Sequence, residues 1–246
     1  MRCLVINPVG TDVFDGDTRK ILEAAKRPET EVEVVSLAAD RPKHLEYHSY
    51  EALVVADIVR LTQDASTEYD AVVIACFYDV GLREAREVSG RAIVTAPCQA
   101  ATDIAGHLGN TFSVLVTRRK CIPKMTENIR AYGQGNAKAS MRPLGLGVHE
   151  LQADHKATCD RLLSEGRKAV EEDGAEVLVL GCTAEYGFYE TMQRELRVPV
   201  IVALLAPFKY AEHLVELRDR FEWAPSRKWG SEPPPVSASD GEDVTD

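Results

Sequence analysis

The sequence has few basic residues and few aromatic residues. Its 246 residues include 29 Lys and Arg against 39 Asp and Glu, which gives a formal net charge of -10. That balance excludes the basic surface on which binding to nucleic acid or to an anionic membrane depends. Aromatic residues make up only 7%, too few for a surface that stacks bases. We therefore expect a small-molecule ligand, with no nucleic acid and no membrane among the partners.

Long apolar runs are also missing. The longest, residues 198–208, contains Pro199 and Pro207 and is shorter than the roughly 20 residues that span a bilayer. The apolar run near the amino terminus, residues 3–6, is shorter than the ~7–15 residues of a secretory signal. We therefore expect a cytoplasmic protein with reduced thiols.

Motifs that hold metals or nucleotides are absent from the sequence. The six cysteines form no C-x-x-C pair, and His44 and His48 do not fit H-E-x-x-H because Glu46 stands in the wrong place. Neither G-x-G-x-x-G nor the P-loop pattern occurs. We therefore expect no metal and no cofactor.

Short apolar runs alternate with helical patterns along the chain. The strands are predicted at residues 4–6, 31–37, 71–75, 92–95, 112–116, 176–180 and 200–204. The helices are predicted at residues 18–26, 49–63, 79–88, 97–108, 119–132, 154–172, 186–196 and 207–221. Continuous apolar strands between helices indicate an α/β fold with parallel sheets covered on both faces.

One unit of this pattern occurs twice. Cys76 and Cys182 each end an apolar strand, each has an acidic residue three positions later (Asp79 and Glu185), and each precedes a further strand 18 residues on. Units of similar length are common in any βαβ protein, but the matched cysteine and acid point to two similar α/β halves.

The position of these two cysteines suggests acid–base chemistry. Ligands of parallel α/β sheets bind beyond the carboxyl ends of the strands, where Cys76 and Cys182 lie. The predicted helices begin just after them, and a helix amino terminus favours a thiolate. Two thiols facing each other across a cleft could invert a carbon next to a carbonyl, one removing a proton and the other supplying one. We interpret Cys3, Cys121 and Cys159 as buried apolar residues and leave Cys98 undecided.

Six motifs resemble the Asp/Glu/hydantoin racemase superfamily, and within it the hydantoin/allantoin racemase branch. They are I-N-P at 6–8, A-C-F-Y-D-V-G-L at 75–82, F-S-V-L-V-T-R-R at 112–119, G-L-G-V-H-E-L at 145–151, L-G-C at 180–182 and P-V-I-V at 199–202. The resemblance covers residues 1–217. It implies two pseudo-symmetric, flavodoxin-like α/β domains with the active site in the cleft between them, and a homo-oligomer.

On this basis we expect a first domain of residues 1–97 plus 205–223, a second of residues 98–204, and a disordered acidic tail at 224–246. The tail has two basic and five acidic residues and a run of three prolines.

The resemblance also implies roles for individual residues. Cys76 and Cys182 would be the paired acid–base thiols of a cofactor-independent racemase or epimerase. The residues expected near the substrate are Asn7, Asp79, Val80, Gly81, Thr117 and Thr183. For Asp79, an equally good interpretation is that it caps its own helix.

The chain departs from the hydantoin/allantoin branch at three places. Thr183-Ala184-Glu185 replaces the usual Ala-Gly-Met, Val80 replaces a proline, and Val202 replaces an aspartate. An amino-acid racemase of the Asp/Glu type, a decarboxylase or a cis–trans isomerase of the same superfamily therefore stay open. So does a two-lobed small-molecule-binding protein without catalytic activity.

Overall fold

A computed structural model of the chain describes residues 1–235, in which eight strands form two four-stranded sheets. The strands are β1 (Arg2–Asn7), β2 (Glu31–Ser36), β3 (Ala71–Ile74), β4 (Ile93–Thr95), β5 (Phe112–Val116), β6 (Lys138–Pro143), β7 (Val177–Leu180) and β8 (Val200–Ile201). The helices are α1 (Asp15–Ala25), α2 (His48–Ala52), α3 (Val55–Ala65), α4 (Leu82–Val88), α5 (Pro97–Leu108), α6 (Ile122–Ala131), α7 (His155–Glu171), α8 (Tyr189–Leu196) and α9 (Leu205–Phe221).

The two sheets have the same topology. Their strand orders are β2-β1-β3-β4 and β6-β5-β7-β8, and every pairing is parallel. The central pairs correspond, with Val5 beside Val73 in the first sheet and Val114 beside Val179 in the second. This confirms the predicted α/β fold of two similar parallel-sheet halves, each with helices packed on its sheet.

The inner strands follow the apolar pattern of the sequence. Every residue of β3 and β7 is buried, as expected for strands covered on both faces. The edge strand β6 was not predicted, because its sequence K-A-S-M-R-P has neither an apolar run nor alternation. All six of its residues are only half-buried, so pairing with β5 rather than its own composition defines this strand.

Two helices cross between the halves. The helix α9, from the end of the chain, packs on β3 and β4 of the first sheet, and α5 packs on β5 and β7 of the second. Each sheet is therefore covered by a helix that follows the last strand of the other sheet: α9 follows β8, and α5 follows β4. The predicted domain boundaries, near residues 97 and 205, fall in the segments where these two helices begin.

Several helix boundaries differ from prediction. The pattern over residues 49–63 forms two helices, α2 and α3, and the pattern over 119–132 begins with a 3-10 turn at Arg119–Cys121 before α6. Asp154 caps α7 as predicted, accepting the backbone N–H of Ala157 at 2.9 Å.

The segment predicted to be a disordered tail lies partly within the described residues. In residues 224–235, Arg227 donates to the Ser89 hydroxyl at 3.0 Å and to the Arg86 carbonyl. Residues 236–246 lie outside the described part of the chain. None of the helices in residues 1–235 combines the length and apolar character needed to cross a membrane.

Candidate active site

A cleft that opens to solvent lies where the carboxyl ends of the two sheets meet. Cys76 and Cys182 both line it, one from each half. The predicted substrate-side residues Asn7 and Thr117 line it as well, as does Thr183. The structure therefore brings together five of the eight predicted site residues, which come from chain segments up to 176 positions apart.

Equivalent turns carry the two cysteines. Each cysteine stands two residues beyond its strand, and its carbonyl accepts the N–H of the acid three residues later, Asp79 at 2.9 Å and Glu185 at 3.0 Å. A glycine follows five residues after each cysteine, Gly81 with φ +67° and Gly187 with φ +83°. Both glycines adopt the left-handed conformation that glycine tolerates best. The repeated unit thus extends from the cysteine through the acid to the left-handed glycine.

These turns displace the helices from the cysteines. α4 begins at Leu82, after left-handed Asp79 and Gly81, and α8 begins at Tyr189. The prediction that helix amino termini directly follow Cys76 and Cys182 is therefore wrong, and so is the thiolate stabilisation inferred from it. The turn must first redirect the chain away from the strand end, and this takes five or six residues.

Burial dominates the electrostatics of Cys76. It raises the pKa of the thiol to about 12, and the charges of Glu51 and Asp79 act in the same direction. The backbone N–H of Tyr78 opposes this by favouring the thiolate. Cys76 is nevertheless only half-buried by exposed area, because it opens onto the cleft. In the free protein, burial therefore favours the neutral thiol of Cys76 over its thiolate.

Burial also determines the electrostatics of Cys182, and the acidic residue close to this thiol is Glu185. Burial raises the pKa of Cys182 well above the ordinary value, and Glu185 is the next largest cause, while the N–H of Ala184 lowers the pKa. The Glu185 carboxyl is fully buried, and neither of its oxygens has a hydrogen-bond partner within residues 1–235. Burial raises the pKa of Glu185 as well.

A direct hydrogen bond joins the two cysteine turns. The Thr183 hydroxyl donates to the Ala75 carbonyl at 3.2 Å. Since Ala75 precedes Cys76 and Thr183 follows Cys182, this bond connects the two halves beside both thiols. Thr183 stands where the resemblance led us to expect alanine. An alanine has no hydroxyl and could not make this hydrogen bond.

The other three predicted residues lie behind the cleft wall. The Asp79 carboxylate accepts the backbone N–H groups of Cys98 at 2.7 Å and Gln99 at 2.9 Å, in the first turn of α5. Asp79 therefore caps α5 rather than its own helix α4, whose N-cap is Gly81. Burial raises the pKa of Asp79 to about 7. Val80 is buried in the core of the first half, and an added Cβ on Gly81 would face Ile58.

Asn7 and Thr117 hold their positions through polar contacts behind the cleft. The Asn7 amide nitrogen donates to Ser36 Oγ at 3.0 Å and to Asp15 Oδ1 at 3.1 Å. The Thr117 hydroxyl contacts the Cys121 sulfur at 3.4 Å. Cys121 is buried, as the sequence predicted, but it also lines the cleft, which the sequence did not indicate. No spacing relates it to the other two cysteines, so only the fold reveals it.

Aromatic and imidazole rings surround the mouth of the cleft. Phe14 stacks on His149 with centroids 6.0 Å apart, and His149 meets His44 edge-on at 5.8 Å. The Tyr186 hydroxyl donates to Asp17 at 2.9 Å. Each contact joins one half of the protein to the other. Residues 1–235 contain no group of three or more His, Cys, Asp or Glu side chains placed to hold a metal ion.

The raised thiol pKa values predict slow alkylation of the free protein at neutral pH. Because the thiolate fraction increases tenfold per pH unit below the pKa, we expect the iodoacetamide rate at Cys76 to rise about tenfold per unit between pH 7 and 9. Peptide mass spectrometry at each pH gives the rate for each cysteine. Cys98, fully buried, is the unreactive reference. A rate at Cys76 that levels off near pH 7 would contradict the burial argument.

Comparison with known proteins agrees with this fold. A sequence profile of the family described as Asp/Glu/Hydantoin racemase matches residues 4–210. The hydantoin racemase of Pseudomonas sp. (strain NS671) is 31% identical over 218 residues, covering 88% of this chain and 87% of that protein. The hydantoin racemase of Paenarthrobacter aurescens is 33% identical over 221 residues, covering 88% and 92%. The structure of allantoin racemase from Klebsiella pneumoniae superposes with a TM-score of 0.87 at 27% identity, covering 96% and 94%.

The similarity to hydantoin racemases and to an allantoin racemase of the same fold makes this protein a racemase of the Asp/Glu/hydantoin type. The chain belongs to the Asp/Glu/hydantoin racemase family. Within that family it falls in the hydantoin/allantoin branch, as the six sequence motifs predicted.

Proposed function

We propose that the protein racemises a hydantoin- or allantoin-type substrate by proton transfer between Cys76 and Cys182. The observation that carries this proposal is that the two thiols line one cleft from opposite halves of the fold. No organic cofactor or metal takes part in the proposed reaction. The hydantoin and allantoin racemases to which the chain is similar support the choice of substrate.

The proton transfer proceeds through a planar intermediate. One of the two thiols first loses its proton to solvent. The resulting thiolate removes the proton from the stereocentre beside the carbonyl, and the electron pair of that C–H bond moves into the enolate. The other cysteine, as a thiol, then delivers its proton to the opposite face. The first cysteine ends as a thiol and the second as a thiolate, so the site is set for the reverse reaction. The Thr183–Ala75 hydrogen bond keeps the two turns in register.

Backbone groups of the two turns stabilise the charge that develops on the carbonyl oxygen. We assign this role to the N–H groups of Phe77 and Thr183, which directly follow the two cysteines. Within residues 1–235 neither N–H donates to another backbone carbonyl. Such fixed donors favour the enolate over the neutral carbonyl. Asn7 has its amide nitrogen bound to Ser36 and Asp15, which leaves its carbonyl oxygen for a substrate N–H.

The chemistry of the substrate favours a hydantoin over a free amino acid. Removing the C5 proton of a hydantoin produces a singly charged enolate, whereas the same step in an amino-acid carboxylate places two negative charges on one molecule. The C5 proton of a hydantoin is therefore the more acidic of the two, and a thiolate removes it more readily.

Solvent deuterium exchange followed by NMR tests this function. In D₂O, we expect the protein to replace the C5 hydrogen of a 5-substituted hydantoin or of allantoin, and optical rotation to fall to zero over the same period. Amino acids and malonates tested under the same conditions cover the other reactions of the superfamily. Exchange at the α-carbon of an amino acid, with none in hydantoins or allantoin, would replace this proposal with an amino-acid racemase. Release of CO₂ from a malonate would indicate a decarboxylase.

A further inference from the structure

The loop between β2 and α2 places a charged side chain in the wall of the cleft that the two-thiol reaction does not use. Glu46 lines the cleft, and only 7% of the residue is exposed. Its Oε1 atom is shielded from solvent and has no hydrogen-bond donor within residues 1–235. A buried carboxylate oxygen without a donor is uncommon, because burial removes its water and nothing replaces that hydration.

Two basic side chains lie beside the Glu46 carboxylate, but neither makes a good hydrogen bond to Oε1. The Arg118 Nη1 atom lies 3.5 Å from Oε1, an ion-pair distance too long for a good hydrogen bond. His44 Nδ1 lies 3.4 Å from Oε2. Rotation about the last bond of a glutamate side chain is soft, so a modest turn exposes Oε1 to a ligand in the cleft. The carboxylate therefore has the position and the free acceptor for a substrate N–H.

The cation beside it is occupied elsewhere. Lys43 also lines the cleft, but its ammonium group donates to the backbone carbonyls of Ala39, at 2.6 Å, and of Gly10. A substrate carboxylate would thus lie beside the Glu46 carboxylate with no free lysine from residues 1–235 in the cleft wall, and Arg118, which does not line the cleft, is already paired with Glu46. A neutral ring with N–H groups would find an acceptor instead.

From these observations we propose that Glu46 accepts an N–H group of the substrate and thereby selects a neutral cyclic ureide over a substrate that carries a carboxylate. This inference rests on the proposed function, since it concerns the same cleft. It adds a specificity residue from the β2–α2 loop to the residues that the cysteine motifs indicate.

Binding of a ligand that cannot react tests this role separately from catalysis. 5,5-Dimethylhydantoin has no hydrogen at C5, so isothermal titration with it measures recognition whether or not the protein is a racemase. We expect Glu46→Gln to weaken binding about 10-fold, because the neutral amide oxygen of glutamine accepts a weaker hydrogen bond than a carboxylate does. Glu51→Gln is the matched control, because Glu51 is a buried acid of the adjoining helix that pairs with His48 and does not line the cleft.

Methylated ligands separate recognition from a structural role of Glu46. If Glu46 accepts the N1 or N3 hydrogen, methylation of that nitrogen should weaken binding to the wild type by a larger factor than it weakens binding to Glu46→Gln. Losses that simply add, or an unchanged Kd in Glu46→Gln, would overturn the proposal. The same holds if the wild type binds sodium acetate or N-acetylalanine as well as it binds 5,5-dimethylhydantoin. Failure of the deuterium exchange alone would overturn the racemase function and leave this binding result standing.

Discussion

Replacement of either cleft cysteine by serine should abolish racemisation while leaving half of the proton exchange. We expect Cys76→Ser and Cys182→Ser each to lower the racemisation rate by about 10³-fold or more, because a serine hydroxyl is a far weaker acid and base than a thiol. The remaining cysteine still meets one face of the stereocentre. Each variant should therefore incorporate deuterium into one enantiomer without inverting it, and the two variants should act on opposite enantiomers. Chiral chromatography with NMR detection separates these outcomes.

The matched control for this experiment is Cys159→Ser. Cys159 is half-buried on α7 and does not line the cleft, so its replacement should leave racemisation unchanged. Two-thiol catalysis would be refuted if Cys182→Ser or Cys76→Ser still racemised both enantiomers at the wild-type rate. Loss of all exchange with both enantiomers in both variants would instead indicate that the thiols act only as a pair.

The second large effect is expected at Gly181, which precedes Cys182. An added Cβ at Gly181 would lie 2.5 Å from the Leu115 carbonyl oxygen and 3.1 Å from Val114 Cγ1, and the Leu115 contact is with rigid backbone. The Gly181 N–H also donates to that carbonyl at 2.7 Å. Relief of this overlap must move the turn that carries Cys182. We expect Gly181→Ala to lower the free energy of unfolding by about 3 kcal/mol and kcat by about 10²-fold.

Gly16→Ala is the comparison for this substitution. Gly16 lies in the first turn of α1, and an added Cβ there meets no atom within 4 Å. Alanine favours a helix over glycine by up to about 1 kcal/mol, so this variant should be as stable as the wild type or slightly more so, with unchanged kcat. Urea denaturation and the racemisation assay measure the two quantities. If Gly181→Ala behaved like Gly16→Ala, the close approach of the β7 turn to β5 would not position Cys182.

Much of the fold could be predicted from the sequence because its signals are local. The continuous apolar runs that became β3 and β7 identify buried parallel strands by themselves. The equal spacing from Cys76 to Val94 and from Cys182 to Val200 reflects two similar units, and both valines do lie in the following strands. The predicted helix boundaries are wrong where a turn interrupts a segment whose sequence is typical of a helix. The segment 79–88 looks helical throughout, but left-handed Asp79 and Gly81 delay α4 until Leu82.

Some residues of the site could likewise be predicted from the sequence, and others could not. Cys76 and Cys182 could be selected from six cysteines because they recur at equivalent strand ends. Glu46 and Cys121 could not, since neither stands in a repeated position and both reach the cleft only through the packing of distant segments. The contact between Thr183 and Ala75 joins residues 108 positions apart.

By itself, therefore, the sequence determined the order of the strands other than β6, the two equivalent halves and the pair of cysteines at their strand ends. The tertiary structure decided the chemical state of those cysteines. Protonation depends on burial and on the charges nearby, and these are set by segments that come together only in the folded chain. For the same reason, only the folded chain shows that Asp79 caps α5 while Glu46 faces the cleft with a free acceptor.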